Sequence, residues 1–169
     1  RSNVSAANVI FHTCASASDT NTMAVYFNPA GHFVVGRYYS NNIITTAKYL
    51  DANGFYHVVL AFDTTQGTAS DRMKLYINGN QVTNFSTINY PSQNENLPFM
   101  LTTQPFEIGR HSYPHVSQTG SYYSGYMSHI HFCDGYQYQA SDFGSTDSTT
   151  GEWRINTSPN VSYGTNGFF

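Results

Sequence analysis

Residues 57–82 read HVVLAFDTTQGTASDRMKLYINGNQV. An apolar run, Val58 to Phe62, is followed by a polar loop and then by a segment that alternates strictly. Met73, Leu75 and Ile77 fall on one side of an extended chain; Arg72, Lys74 and Tyr76 fall on the other. Asn78-Gly79 follows at once. Both residues tolerate the positive φ angles of a type I′ turn, so the pair predicts a tight hairpin. An antiparallel sheet with one buried face is the expected result.

The rest of the chain agrees with that reading. Its 169 residues fit one domain, residues 1–169, which can bury roughly 70% of its unfolded surface without disulfide staples. Only 10% of residues are charged and 16% are aromatic, with fourteen Tyr and twelve Phe. Tyr, Phe, Thr, Ser, Asn and Gly suit strands and turns better than long helices. Strands are predicted over 9–14, 23–28, 32–38, 42–47, 57–63, 72–77, 81–85, 106–109 and 124–132. The unbroken VVLAF run predicts a central strand. The tail after Ala140 carries few strand signals and is expected to wrap over the body. Many short strands between turn signals predict an all-β, two-sheet antiparallel sandwich or a barrel.

A formal net charge of −3 gives no basic face for nucleic acid. No apolar run approaches the roughly 20 residues of a membrane span. The chain opens at Arg1 and stops at Gly167-Phe168-Phe169, and both ends are expected to be cuts from a longer chain.

Several segments resemble one family. GYMSHIHFCDGYQYQASDFGSTDSTTGEWRI (125–155), SDRMKLYINGNQV (70–82), FYHVVLAFD (55–63), EIGRHS (107–112) and YGTNGFF (163–169) resemble concanavalin A-like, laminin G-like jelly-roll domains. The closer likeness is to the version found in structural and fibre proteins of tailed phages, marine ones in particular. The resemblance implies a concanavalin A-like jelly roll at a virion surface, outside the cell. Its partners would be host-surface glycans or neighbouring virion subunits, in a homo-oligomeric fibre or capsid decoration.

The fold also hosts glucanases, so paired carboxylates would point to catalysis. A retaining glycosidase needs two carboxylates about 5–5.5 Å apart, and its relatives place them at alternating positions of one strand. Among ten carboxylates here the nearest pairs are Asp142 with Asp147 and Asp63 with Asp71, all at turns or loops. No Gly-x-Ser-x-Gly elbow occurs. The expectation is a protein that is not an enzyme.

Binding chemistry is better represented. Sugar recognition uses aromatic faces against C–H surfaces and planar polar groups against hydroxyls. His111, Tyr113, His115, Tyr122 and Tyr123 cluster around one loop, and Tyr38, Tyr39, Asn41 and Asn42 form a second polar–aromatic turn. These are the candidate ligand-binding residues; the same Tyr-rich loops also suit contact with a protein neighbour. No cofactor is assigned. Asp63 and Asp71 flank one loop and Asp19 and Asn21 share another, residue types that suit calcium, but Asp at such places also makes turns.

Two cysteines, Cys14 and Cys133, show no metal spacing. They are read either as buried thiols or as a disulfide, should the first and last strands be neighbours. His12, Cys14, His129, His131 and Cys133 would share a face in that case, which also raises a metal cluster.

Overall fold

The structure is a computed structural model, and it describes residues 7–15, 18, 20–101, 105–111 and 121–169. Among the described residues strands dominate, with three single-turn 3-10 helices between them. The chain divides into two compact units. The first comprises Arg1–Gly54, Asn84–Asn89 and Asn96–Tyr126; the second comprises Phe55–Thr83, Tyr90–Glu95 and Met127–Phe169.

The first unit is built on a six-stranded antiparallel sheet. β1 (Asn8–Cys14), β2 (Thr22–Phe27), β3 (His32–Arg37) and β4 (Asn41–Lys48) form a meander. β4 also pairs with Phe85–Ile88 and β1 with Phe106–Ile108, at the two ends of the sheet. All four meander strands were expected from their apolar alternation, to within one or two residues. Phe33, Val34 and Val35 are all buried, which marks β3 as covered on both faces. An aromatic cluster packs on this unit. Phe11 meets Phe99 and Phe106 edge-on, with ring centroids 6.3 and 6.0 Å away. Phe99 comes from the 3-10 turn Pro98–Met100, so the polar segment after Asn89 returns to bury Leu97 and Phe99. Burial of such rings contributes on the order of 2 kcal/mol each.

The second unit carries the hairpin. β5 (Val58–Phe62) pairs with β6 (Met73–Ile77), and β6 pairs with β7 (Asn80–Gln81). Met73, Leu75 and Ile77 are buried, while Lys74 and Tyr76 are half-exposed, as the alternation requires. Asn78 and Gly79 have φ of 48° and 81°, the positive pair that a type I′ turn needs. Asn78 also binds back: its Oδ1 accepts from His57 N, and its own N–H donates to His57 O, each at 2.8 Å.

Three expectations are corrected. β5 stands at one end of the order β5-β6-β7 and is not central. Its apolar run is explained instead by cover on the outer face, where Ala61 lies beneath the segment around Gln137–Asp142. The predicted second hairpin strand, 81–85, divides. β7 ends at Gln81, and the chain resumes as β8 (Phe85–Ile88) beside β4. The predicted strand 124–132 does not form. His129 has φ of 52°, which an extended chain cannot accommodate, and only Phe132 makes a bridge, to Phe168.

Five short strands remain. β9 (Phe106–Ile108) is the partner of β1 already described. β10 (Arg110–His111) and β11 (Ser121–Tyr122) form a two-stranded ladder in the first unit. β12 (Gly144–Thr146) and β13 (Trp153–Ile155) form another in the second, in the tail where strand signals were few. No helix among the described residues is long and apolar enough to cross a membrane.

Candidate functional site

The β10–β11 ladder brings together three of the residues expected to bind ligand. His111 lies opposite Ser121, and Arg110 opposite Tyr122. Tyr123 is fixed by its backbone N–H, which donates to Gly109 O at 2.8 Å. The ladder follows β9 directly, and Gly109 N donates to Ile10 O, so the ladder continues along β1 toward Asn8. Asn8, fully buried, accepts Ser124 N on its Oδ1 at 3.0 Å and pins the far side. Tyr122 leaves 60% of its surface in solvent.

Behind this edge lies a polar group that the sequence did not reveal. His12 on β1 is 1% exposed. Its Nδ1–H donates to Glu107 Oε2 at 3.3 Å, and its ring sits 4.2 Å from that of His111. Burial, helped by the neighbouring His111, lowers the His12 pKa to about 4, against the opposing pull of Glu107. His111 is also lowered, again mainly by burial. Both rings are therefore neutral at pH 7. Arg110 adds a longer ion pair to Glu107 at 3.9 Å. His12 and Glu107 face each other across β1 and β9, yet 95 residues separate them in sequence, and no local pattern announces such a pair.

Tyr38, Tyr39 and Asn41 form a different patch. They lie at the β3–β4 turn, where Tyr38 and Tyr39 meet edge-on at 4.2 Å and Tyr39 is 80% exposed. Asn42 and Asn89 brace the turn: Asn42 Nδ2 donates to Asn89 O, and Asn89 Nδ2 donates to Asn41 O, both at 2.8 Å. Register through β1, β2 and β3 places this turn at the Cys14 end of the sheet, whereas the β10–β11 ladder lies toward Asn8. The expected binding residues thus form two patches, at opposite ends of a strand of roughly 20 Å. Tyr113 and His115 lie outside the described residues.

The carboxylates weighed for catalysis hold turns. Asp63 accepts Thr65 N, Thr65 Oγ1 and Gln66 Nε2, which together hold its carboxyl below the usual range. Asp71 pairs with Lys74 at 3.0 Å. Asp142 accepts Gln139 N at the start of a 3-10 turn, and Asp147 accepts Thr149 N and Thr150 N.

Of the two loops open to calcium, the one between Asp63 and Asp71 is organised by an arginine, and Asp19 of the other lies outside the described residues. Arg72 Nε donates to Gln66 O, Nη2 to Gly67 O and Nη1 to Pro91 O, at 2.8, 2.9 and 3.0 Å. The carbonyl oxygens that would ligate a cation there converge on a guanidinium.

In the structure Cys14 and Cys133 are both thiols. Cys14 is buried on β1 with its sulfur 3.2 Å from Thr22 Oγ1. Cys133 belongs to the second unit, where burial raises its pKa. His131 is taken up by rings: its Nδ1 is 2.8 Å from Tyr163 Oη, and it stacks on Phe169 at 4.5 Å. Among the described residues no group of three His, Cys, Asp or Glu side chains is placed to hold a metal ion.

Short antiparallel strands, type I′ hairpin chemistry and aromatic edges define an all-β domain. The model of the family Laminin_G_3, described as the concanavalin A-like lectin/glucanases superfamily, matches residues 1–141, and the chain belongs to that family. The family's architecture is the two-sheet antiparallel β-sandwich, to which the six- and three-stranded sheets correspond. No curated protein and no solved structure matches the chain.

Proposed function

We infer that this chain is a non-catalytic carbohydrate-recognition module, acting as one domain. Membership of a superfamily of lectins and glucanases supports the ligand class. The observation that carries the reading is the β10–β11 edge. It presents an exposed Tyr122, a neutral His111 and Arg110 on a short two-stranded ladder, an arrangement suited to stacking on one sugar face and binding its hydroxyls. The turn positions of Asp63, Asp71, Asp142 and Asp147 support binding over hydrolysis.

The resemblance of the 125–155 and 163–169 segments to phage structural domains supports a finer reading. In it the module sits on the surface of a virus particle, on a fibre or as capsid decoration, and attaches to host-surface glycan. Homo-oligomerisation there would multiply weak single-site affinities. A glycan array probed with the purified chain tests the ligand class. Binding that Tyr122→Ala weakens about three- to tenfold, the worth of one stacking contact, is the expected result. No binding to any arrayed sugar would overturn it.

A second reading is favoured by other exposed rings. Tyr126 is 83% and Phe55 74% exposed, a composition that also suits subunit contact. In that case Tyr122→Ala leaves adsorption to host cells unchanged, while Tyr126→Ala or Phe55→Ala impairs assembly of the particle.

A further inference from the structure

The second unit contains a cleft of about 120 Å³ on the outer face of β5 and β6. Ala61, Lys74 and Tyr76 form its floor; Gln137, Tyr138 and Asp142 form its wall. Register explains the hollow. Ala61 lies directly opposite Lys74, and its methyl group leaves room that the larger Val59, opposite Tyr76, does not.

The wall is held in place by bonds that leave its binding atoms available. Gln137 Nε2 donates to Asp71 O at 2.9 Å, so its amide is anchored and its Oε1 remains an acceptor. Asp142 uses Oδ2 to accept Gln139 N at 2.8 Å, leaving Oδ1. Gln139 also lines the cleft; its side chain accepts from the Asp142 backbone, which leaves its NH₂ as donor. Lys74 is steadied by Asp71 at 3.0 Å and retains further N–H groups. Tyr138 is locked by Ser162 N, which donates to its hydroxyl, and by Tyr136, stacked at 5.7 Å. Tyr136 is 52% exposed and extends this aromatic surface beyond the cleft.

We propose that this cleft is a binding site for a single neutral sugar residue, recognised through its vicinal hydroxyls. Donors and acceptors both line the cleft, and its two charges, Lys74 and Asp142, are of opposite sign. An anion would meet Asp142, a cation would meet Lys74, and an apolar ligand would leave several polar groups unpaired. A hydroxyl donates and accepts at one atom, so a polyol satisfies both kinds of partner. Ligand pockets for drug-sized molecules run to about 300–1,000 Å³, so this smaller cleft takes one ring rather than an oligosaccharide. The site rests on the carbohydrate reading above but is separate from the β10–β11 edge.

Backbone amide spectra of the full chain, titrated with methyl glycosides of glucose, galactose and mannose, test it. Affinities on the order of 1 mM are expected from so few bonds. Shifts at Ala61, Lys74, Gln137 and Asp142 that saturate with one glycoside are the predicted outcome. Asp142→Asn should weaken that binding about tenfold. Tyr76→Phe, which leaves the cap of the 3-10 turn intact, should weaken it severalfold and serves if the first variant unfolds. Glucuronic acid and glucosamine should bind more weakly than glucose. Shifts confined to residues 109–123 would overturn the cleft and leave the proposed function standing. No shift with any glycoside, together with an empty glycan array, would overturn both.

Discussion

The indole of Trp153 donates a hydrogen bond to Nδ1 of His57 at 3.0 Å, across 96 residues of chain. The rings are stacked with centroids 5.8 Å apart. His57 is in turn bound through its backbone to Asn78, so the β13 strand, the start of β5 and the type I′ turn share one set of contacts. The bond requires a neutral His57, and burial, reinforced by His131, lowers the His57 pKa in that direction. Trp153→Phe keeps a stacking ring but leaves Nδ1 without its donor. It is expected to cost about 1–2 kcal/mol in urea denaturation, and an unchanged midpoint would show that this bond contributes nothing.

The same indole lies against Gly79. A methyl group on Gly79 would fall inside the Trp153 ring, and its φ of 81° disfavours any side chain. Gly135, with φ of 83°, has open space where its Cβ would stand. Gly135→Ala should therefore cost about 1 kcal/mol, the backbone term alone, and Gly79→Ala about 2–3 kcal/mol, with steric displacement added. Equal losses in a thermal melt would show that the indole moves aside freely.

Stability should fall in mild acid. His12, His57, His111 and His131 all have pKa values lowered by burial in the folded state. The unfolded chain therefore binds more protons than the folded one as pH drops. The associated stability is fully present above the unfolded value of 6.5 and is lost, for His12, down to about pH 4. A shift of that size corresponds to about 3 kcal/mol. Chemical denaturation at pH 7.5, 5.5 and 4.5 should show a steady decline. His12→Gln should flatten it, since an amide does not titrate in this range. An identical pH profile in the variant would remove His12 as the source.

Arg72 makes three charge-assisted hydrogen bonds, two to carbonyl groups of the loop between β5 and β6 and one to Pro91 O. Arg72→Met keeps the aliphatic stem and removes the guanidinium. The expected cost is about 2–3 kcal/mol, with faster amide exchange at Gln66, Gly67 and Asn94. Addition of a chelator should leave the melting temperature of the native chain unchanged. A fall on chelation would mean that a metal ion shares this loop.

The hairpin and meander were legible because their side-chain alternation is set by one buried face. Met73, Leu75 and Ile77 carry that signal within five residues, and Asn78-Gly79 adds a backbone requirement that few other pairs meet. The His12–Glu107 pair was not legible, because strand register rather than spacing makes it. β12 and β13 escaped notice for a different reason. Gly-Ser-Thr shows no apolar period and Trp-Arg-Ile is too short to establish one, and Trp153 is placed by the two glycines it covers, Gly79 and Gly144. The segment 124–132 misled because its alternation is genuine while the backbone at His129 is not extended. Of the candidate binding residues, proximity in sequence found the β10–β11 edge and the β3–β4 turn. It could not show that the sheet holds them at opposite ends.

A guanidinium tethered to its own chain never dissociates. In the segment from Asp63 to Arg72 the positive partner of the carbonyl groups is delivered by translation itself and is present at full occupancy in any medium. The loop should keep its shape equally in a divalent-rich fluid and in a depleted one.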